Sequence, residues 1–588
     1  MYVNGIERAM NQVYEKRHVG LLVILVFLAS SVLYFNALLN GFVFDDMDNV
    51  VNNPWIKDSG YIAEIFSSHL AGFDKGFATN YYRPLVHLIY MFTYRVFGAA
   101  PLGFHLMNVL FHVGVCVLVF LLAAAILGQS GASNPAHAFL PPVIAALMFA
   151  AHPIHTEGVA WVAGVMDVSF TFFYLLSFYF YLKSSDEGRT LGRSHLLSVV
   201  SFFFATLCKE PALTLPLILF AYDFSFRQEE LKLNECLKRY LPYGFVMGIY
   251  LALRMNALGG FAPVKAEMNL TPYQYFLNIL VLFSRYLEKL LVPINLNVYH
   301  VFDPIISLFT MKGMISLLVA GTFLSLVLLL RKIDRILFFA LLMIVIPLLP
   351  SLYIPALSQG VENAFSERYL YLPSFGFVLV LGGLGARVLR NGARAGIVLA
   401  VIASLLMVWY SVETVRRNRV WRDNNSLWSD AVRKSPDNAN IRGNLGYALY
   451  VEGELDEAIE QYRIALNLKP DLPNVRLNLG VAFHRKGWFD QAVEQYRMVL
   501  NLRPSADAHS NLGLALLDLG WIEDGIDHCR RAVTLNPALA DAHHNLGIGY
   551  ARKGVLDQAI HEFQIAIRLN PDSRLYRDNL MKAYGDRK

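Results

Sequence analysis

Twelve apolar runs fill most of the first 412 residues, and short polar or charged segments separate them. A helix of about 20 apolar residues crosses a bilayer, and its internal hydrogen bonds satisfy the backbone N–H and C=O groups that lipid cannot. The pattern therefore predicts an all-α, polytopic membrane helix bundle over residues 1–415. The runs cover residues 19–44, 101–128, 139–151, 158–183, 195–208, 211–226, 240–258, 271–293, 314–331, 335–353, 368–387 and 393–412.

The basic residues between the runs predict the orientation, because cytoplasmic loops carry an excess of Lys and Arg. All four main clusters lie on the cytoplasmic side, with the N-terminus, only if one run between 240 and 314 does not cross. We assign the charged run 271–293 to the membrane surface, which leaves about eleven spans. With twelve spans, the last two of these clusters would lie outside, and only the arginines at 416–422 would move to the cytoplasmic side. The four clusters are Lys183/Arg189/Arg193, Arg227/Lys232/Lys238/Arg239, Arg331/Lys332/Arg335 and Arg387/Arg390/Arg394.

A second pattern begins near Trp421, where a repeat replaces the apolar runs. Asn-Leu-Gly recurs at Asn444, Asn478, Asn511 and Asn545, in steps of 34, 33 and 34 residues. This period and its glycine and proline positions are typical of tetratricopeptide repeats, each a pair of helices. The sequence predicts four repeats over 437–571 that form an α-solenoid. A half-repeat junction at 416–436 precedes them, and a capping helix at 572–588 follows.

The composition agrees with a membrane protein, since 55% of the residues are hydrophobic and 16% are charged. The net charge of +5 is small and the basic residues cluster in short loops, which argues against a nucleic-acid partner. The four cysteines show no Cys-x-x-Cys spacing, so neither a disulfide framework nor a zinc knuckle is indicated.

Polar motifs gather on one side of the predicted topology. Asp45 and Asp46 follow the first span directly, at a position where a charge near lipid is costly and usually functional. The alternative is a solvated loop in which the two carboxylates cap a turn. With about eleven spans, further polar motifs fall on the same outer side, and this convergence favours a site at the outer membrane surface.

These motifs and their order resemble those of the transmembrane-and-tetratricopeptide-repeat O-mannosyltransferases, which belong to the C-type glycosyltransferase superfamily. The resemblance covers nearly the whole chain. It implies a multi-span fold, a polyprenyl-phosphate sugar donor and an acceptor outside the cytoplasm. The motifs are Phe-Asp45-Asp46, Tyr82-Arg83-Pro84-Leu85, His152-Pro-Ile-His155-Thr-Glu157, Lys209-Glu210-Pro211-Ala212 and Ser366-Glu367-Arg368-Tyr369-Leu-Tyr371, followed by the repeats.

Sugar transfer to a hydroxyl requires a base for the acceptor proton and cations for the leaving phosphate. Asp45 is the predicted base and Asp46 the second candidate; alternatively, the two carboxylates hold a divalent cation. Arg368 is the predicted phosphate clamp, oriented by Glu367, although the two could instead form a self-neutralising pair. Lys209 either binds phosphate or reaches the surface beside Glu210.

The remaining candidates are assigned to donor binding at the outer mouth of the site. Arg83 contacts phosphate or sugar, or anchors the membrane interface with its neighbouring tyrosines. Metal binding by the histidine motif is disfavoured because Pro153 disturbs the helix and no third ligand follows at zinc-like spacing. Asp167 is expected to face the bundle interior and to pair with one of the cations. These remaining candidates are Arg83, His152, His155, Glu157, Asp167, Glu210 and Tyr371, with Glu362 as a possible neighbour in the cavity.

Two functional classes remain open. The preferred one is a polyprenyl-phosphate-dependent, inverting hexosyltransferase in the plasma (inner) membrane, whose outer repeats capture a protein or peptide acceptor. The alternative is a non-catalytic membrane-anchored scaffold for an envelope or secretion complex. A lipid-carrier transporter is less well supported, because neither inverted repeats nor paired interrupted helices are detectable.

Overall fold

The computed structural model describes residues 16–73, 79–128, 135–186, 192–228, 231–261, 270–352, 365–390 and 393–587. Arg189 and Glu362 lie outside these ranges. The chain divides into two compact units, Met1–Leu427 and Trp428–Lys588, here called the membrane unit and the repeat unit. Within the described ranges both units are built of helices without strands, so the all-α prediction is confirmed.

Most helices of the membrane unit coincide with the predicted apolar runs, whereas Ile62–Ser67 and Pro84–Phe97 lie between the first two runs. Proline begins several of them, because its missing N–H is not needed in the first turn. They are α1 Lys16–Leu33, α2 Ile62–Ser67, α3 Pro84–Phe97, α4 Pro101–Leu127, α5 Pro135–Ala151, α6 Thr156–Ala160, α7 Val165–Asp186, α8 Arg193–Cys208, α9 Leu215–Phe226, α10 Leu233–Leu258, α11 Pro272–Leu291, α12 Met311–Ile333, α13 Arg335–Leu348, α14 Pro373–Arg390 and α15 Ala393–Asn418.

Helices α4, α5, α7 and α14 pack against one another through a continuous buried core. Tyr174, Phe178 and Phe375 are completely buried in it. By contrast, the apolar side chains of α12 and α15 are largely exposed, as expected of surfaces that face lipid.

Six helices of the described residues are long and apolar enough to cross a membrane, or seven if the bent pair Phe139–Ala151 and Pro153–Ala160 is one span. Two further apolar helices, His18–Leu33 and Arg193–Cys208, are shorter. A membrane protein is thereby supported, whereas the predicted number of about eleven spans stays a prediction. The six are Pro101–Leu127, Val162–Ser184, Met311–Ile333, Arg335–Leu352, Pro373–Arg390 and Arg394–Trp421.

Helix α16, Asn424–Lys434, contains the boundary between the two units. The repeat unit continues as four antiparallel helix pairs and a last single helix. The first helix of each pair is closed by a glycine with positive φ, Gly453, Gly487, Gly520 or Gly554, where other residues would be strained. The helices are α17 Ala439–Glu452, α18 Leu455–Leu468, α19 Pro473–Arg485, α20 Phe489–Leu502, α21 Ala506–Asp518, α22 Ile522–Leu535, α23 Ala540–Arg552, α24 Leu556–Leu569 and α25 Arg574–Asp586.

Candidate active site

The segment after α1 presents Asp45 on an unusual backbone. A 3₁₀ turn, Phe35–Leu39, follows α1, and a π-helix, Met47–Val51, begins two residues after Asp45. Phe44 between them has a φ of 53°, a left-handed conformation that costs energy for a bulky residue. Strained backbone and π-helical turns both occur preferentially at functional sites, so the geometry agrees with a role for this segment.

Asp45 and Asp46 are adjacent in sequence but lie in different environments. The carboxylate of Asp46 is completely buried and accepts backbone hydrogen bonds on both oxygens, from Val43 at 3.0 Å and from Ala163 at 2.9 Å. Asp45 instead opens into a cavity. Asp46 therefore fixes the fold of the segment, while Asp45 is placed to meet a ligand.

The environment of Asp45 also alters its acidity. Desolvation raises its pKa from 3.8 to about 6; Arg368 opposes this increase and Asp48 adds to it. A carboxyl with this pKa ionises close to neutral pH, which suits a general base.

Arg368 is held by Glu157 rather than by its neighbour Glu367. Its backbone N–H donates to Oε2 of Glu157 at 2.9 Å, and its guanidinium lies 3.4 Å from Oε1. The backbone around Glu157 is tightly packed, since a Cβ at Gly164 would lie 2.3 Å from the carbonyl oxygen of Gly158 and 2.9 Å from that of Glu157. The expectation that Glu367 orients Arg368 is therefore wrong for this geometry.

Glu367 serves a different cluster behind the site. Its side chain is completely buried and accepts hydrogen bonds from the backbone of Asn297, from His300 at 2.8 Å and from Arg417 at 3.4 Å. Glu367 thus joins three segments of the membrane unit, immediately before the residue that enters the cavity.

Lys209 and Asp167 form a buried ion pair in the cavity wall, as expected from the isolated acidic residue in α7. Lys209 also lies 4.7 Å from the ring centroid of Tyr369. Burial lowers the pKa of Lys209 to about 8, although Asp167 acts in the opposite direction.

Arg83 is anchored by Glu210, at 2.8 Å and 3.1 Å between guanidinium nitrogens and Oε2. Arg254 of α10 supports the same carboxylate, with 3.3 Å to Oε1. Burial alone would raise the pKa of Glu210, but the two arginines outweigh it and keep the pKa low. The pairing of Glu210 with Lys209, its neighbour in sequence, is therefore not found.

These side chains meet in a cavity of about 820 Å³. Asp45 and the cations Arg83, Lys209 and Arg368 all contribute to its wall. The lining residues are Asp45, Asp48, Asn49, Asn52, Pro54, Leu70, Ala71, Phe73, Thr79, Tyr81, Arg83, Trp161, Met166, Asp167, Lys209, Arg368 and Tyr369. Five of the twelve predicted site residues therefore lie in the wall, and the chemical role of each stays a prediction.

The other predicted residues support the wall from behind. His152 is completely buried and bridges the backbone of Ile154 and Leu290. The ring of His155 bonds to Ser374 at 2.8 Å, and the hydroxyl of Tyr371 lies 2.6 Å from Nδ1 of His112. None of the three lines the cavity, so we correct their assignment from direct donor contact to packing of the turn that carries Glu157.

The sequence analysis missed several residues of the wall. Asp48, Asn49 and Asn52 lie within seven residues of Asp45, and Tyr369 directly follows Arg368, but none of them was predicted as a site residue. Trp161 lies in an apolar stretch of sequence with no polar neighbour to indicate a binding site. A metal centre finds no support among the described residues, which contain no group of three or more His, Cys, Asp or Glu side chains placed to hold an ion.

The repeat region matches known families and solved structures. The family described as TPR repeat matches residues 446–487, and that described as Tetratricopeptide repeat matches residues 475–540. Among solved structures, the TPR protein YrrB, titled as having an unusual peptide-binding site, is 23% identical with a TM-score of 0.23, over 27% of this chain and 82% of YrrB.

Curated relatives match a much longer part of the chain. Protein O-mannosyl-transferase Tmtc3 of Drosophila melanogaster is 26% identical over 515 residues, which are 75% of this chain and 54% of that protein. Human protein O-mannosyl-transferase TMTC1 is 29% identical over 502 residues, with the same coverage. Human TMTC4 is 28% identical over 72% of this chain and 63% of its own length.

The chain spans about half the length of the first two of these relatives. The predicted resemblance is nevertheless confirmed: over about three quarters of its length this tetratricopeptide-repeat membrane protein is similar to the TMTC protein O-mannosyl-transferases.

Proposed function

We propose that the protein is an integral-membrane glycosyltransferase that moves a sugar from a polyprenyl-phosphate carrier to a hydroxyl of a protein acceptor outside the cytoplasm. The observation that carries this proposal is the cavity in which Asp45 shares a wall with Arg83, Lys209 and Arg368. Mannose is the sugar of choice because the relatives are named O-mannosyl-transferases.

The three cations are arranged to receive a phosphate. Glu157 and Glu210, which hold two of the arginines, do not line the cavity. They orient the guanidinium groups from behind and leave the cavity side for a ligand. Arg368 can offer two parallel N–H groups to phosphate oxygens. Arg83, whose Nε and Nη2 donate to Glu210 and whose Nη1 contacts the sulfur of Met166, adds positive charge. The compact ammonium group of Lys209 does the same.

The reaction needs one proton transfer and one displacement. The acceptor hydroxyl gives its proton to Asp45 while its oxygen attacks the anomeric carbon, and the bond from that carbon to the phosphate oxygen breaks. The leaving phosphate keeps the electron pair and is stabilised by the cations. Attack on the face opposite the phosphate inverts the anomeric centre, by analogy with inverting glycosidases.

The repeat unit supplies the acceptor site in this proposal. Stacked tetratricopeptide repeats form extended surfaces that bind polypeptides. Following the charge pattern of the loops, we place the site and the repeats at the outer face of the plasma membrane, with the N-terminus in the cytoplasm.

The test follows radiolabelled sugar from polyprenyl-phosphate mannose to envelope protein, with the purified protein in detergent. Asp45→Asn should abolish transfer. Arg368→Lys keeps the positive charge beside Glu157 but loses the planar pair of N–H donors, so it should weaken transfer strongly. Exposed Glu64 and Arg95 provide the matched controls Glu64→Gln and Arg95→Lys, which should transfer normally.

Thermal unfolding of each variant shows whether a loss of transfer reflects misfolding. Two results would overturn the proposal: no transfer by the wild type from polyprenyl-phosphate mannose or other lipid-linked sugars, or normal transfer by Asp45→Asn. Either would favour the non-catalytic scaffold.

A further inference from the structure

The cavity separates two kinds of polar side chain by their origin in the sequence. Its cations Arg83, Lys209 and Arg368 come from three distant segments, and Asp167 is paired with Lys209. The other carboxylate and amide side chains of the wall come from the single segment 45–52. A phosphate is attracted by the first group and repelled by the carboxylates of the second. A neutral, hydroxyl-rich ligand has the opposite preference, because carboxylates and amides accept hydrogen bonds from hydroxyls.

Hydrogen bonds join the polar side chains of this segment to one another and to the backbone. The side-chain amide of Asn52 donates to Oδ1 of Asp48 at 3.3 Å, one turn along the π-helix Met47–Val51. Behind them Asn53 accepts from the backbone of Trp55 at 2.9 Å and donates to the carbonyl of Asn49 at 3.1 Å. Asp48 and Asn52 are thus paired at the exposed mouth of the cavity. The other carboxylate oxygen of Asp48 and the amide oxygen of Asn52 can each accept a hydrogen bond from a ligand hydroxyl.

Trp161 supplies an independent indication of a ligand. It lines the cavity with only 2% of its surface exposed, and its indole nitrogen is buried without a hydrogen-bond partner in the described residues. A buried N–H that lacks an acceptor is destabilising, and native proteins satisfy nearly all such groups. An oxygen of a bound ligand would provide the missing acceptor.

The position of Trp161 links the two sides of the cavity. Its ring lies 5.0 Å from the guanidinium carbon of Arg368 and 5.8 Å from the ring of Phe44, which directly precedes Asp45. The indole therefore lies beside the phosphate clamp, and it also contacts the residue that precedes the base. In a glycosyl phosphate the sugar is bonded directly to the phosphate, so a side chain beside the clamp is placed to contact the sugar.

We propose that Asp48, Asn52 and the indole N–H of Trp161 form the subsite that holds the sugar of the lipid-linked donor. This inference rests on the proposed function, because it takes the donor to be a polyprenyl-phosphate sugar. It assigns sugar selectivity to the segment 48–52 and to Trp161, and leaves anchoring of the phosphate to the three cations.

The experiment compares the affinities of two probes, polyprenyl-phosphate mannose and polyprenyl phosphate without sugar, for the full-length protein in detergent. The wild type should bind the mannose-bearing carrier more tightly, by about thirtyfold or more if two or three hydrogen bonds form with the sugar. The variants are Asp48→Ala with Asn52→Ala, and Trp161→Phe, which keeps the ring but lacks the N–H. Both should lose this preference and bind the bare carrier as the wild type does.

Glu64→Gln is the matched control and should keep the preference. Variants that retain the preference, or that weaken binding of both carriers equally with unchanged thermal unfolding, would place the sugar elsewhere. Equal affinity of the wild type for both carriers would refute the sugar subsite while leaving the donor class intact. Binding of neither carrier would instead refute the proposed function, and the subsite with it.

Discussion

The backbone N–H of Phe44 donates a hydrogen bond of 2.9 Å to the side-chain oxygen of Asn424. This contact joins positions 380 residues apart, and it fixes the strained residue that directly precedes Asp45. It does not act alone. Further hydrogen bonds tie the segment after α1 to the end of α15 and the residues that follow: Asn36 to the carbonyl of Val415, Asn40 to that of Asn418, and the N–H of Gly41 to the carbonyl of Arg422.

We expect Asn424→Ala to lower kcat by about threefold to tenfold, since one hydrogen bond is worth about 1 kcal/mol and positions the base. The donor KM should change little, because Asn424 does not line the cavity. Steady-state kinetics measure both constants. Asn424→Asp keeps an acceptor oxygen and should restore kcat; a drop equal to that of the alanine variant would argue against positioning through this bond.

The transfer rate should depend on pH through two groups of the cavity wall. Asp45 acts as a base only when ionised, so activity should rise as the pH passes its raised pKa of about 6. Lys209 is a cation only below its lowered pKa of about 8, so activity should fall above that pH. A profile of kcat/KM against pH should therefore be bell-shaped, with its maximum between these values.

Lys209→Arg tests the alkaline side of this profile. Arginine stays protonated throughout the range, so the fall above about pH 8 should disappear in any activity that remains. An alkaline limb that persists unchanged would show that another group titrates there.

Substitution of the two adjacent aspartates should have different effects on the free energy of unfolding. Asp46→Asn replaces one of two acceptor oxygens by an NH₂ group facing a backbone N–H, so we expect a loss of about 1–3 kcal/mol of folding free energy. Asp45→Asn should leave stability unchanged or slightly higher, because desolvation already disfavours its charge. Thermal unfolding in detergent compares them. A larger loss for Asp45→Asn would reverse the assignment of the two residues.

A close approach in the third helix pair should make Gly513→Ala destabilising. A Cβ there would lie 2.4 Å from the sulfur of Cys529 and 2.9 Å from the carbonyl of Gly525, so the paired helices must separate, at a cost of about 1–3 kcal/mol. Gly585→Ala is the control, since nothing lies within 4 Å of its added methyl group and alanine favours helix. Limited proteolysis of the full chain should show faster cleavage between 428 and 588 only for Gly513→Ala.

The pattern of apolar residues was sufficient to predict where most helices lie along the chain. Apolar runs and repeat periods are local signals, which is why α4, α7 and α14 and the four helix pairs lie where the sequence predicts them. The pattern could not settle the number of spans, because short and bent helices such as Phe139–Ala151 are ambiguous by length alone.

For the site, the sequence located the motifs but not their pairings. Residue type and position after a predicted span singled out Asp45, Lys209 and Arg368, since a charge near lipid is costly unless it is used. Chain neighbours were then the natural partners to assume. In the structure Arg368 pairs with Glu157, 211 positions away, because partners across a helix bundle are set by packing and not by sequence distance.

The sequence by itself thus determined the apolar helices, the repeat register and the acidic residues that follow the first apolar run. Only the tertiary structure decided that Asp45 and not Asp46 faces the cavity, that His155 and Tyr371 are buried behind it, and that Trp161 belongs to its wall. The reason is physical. A helix pattern fixes which residues are apolar, whereas exposure to a shared cavity depends on contacts among segments hundreds of residues apart.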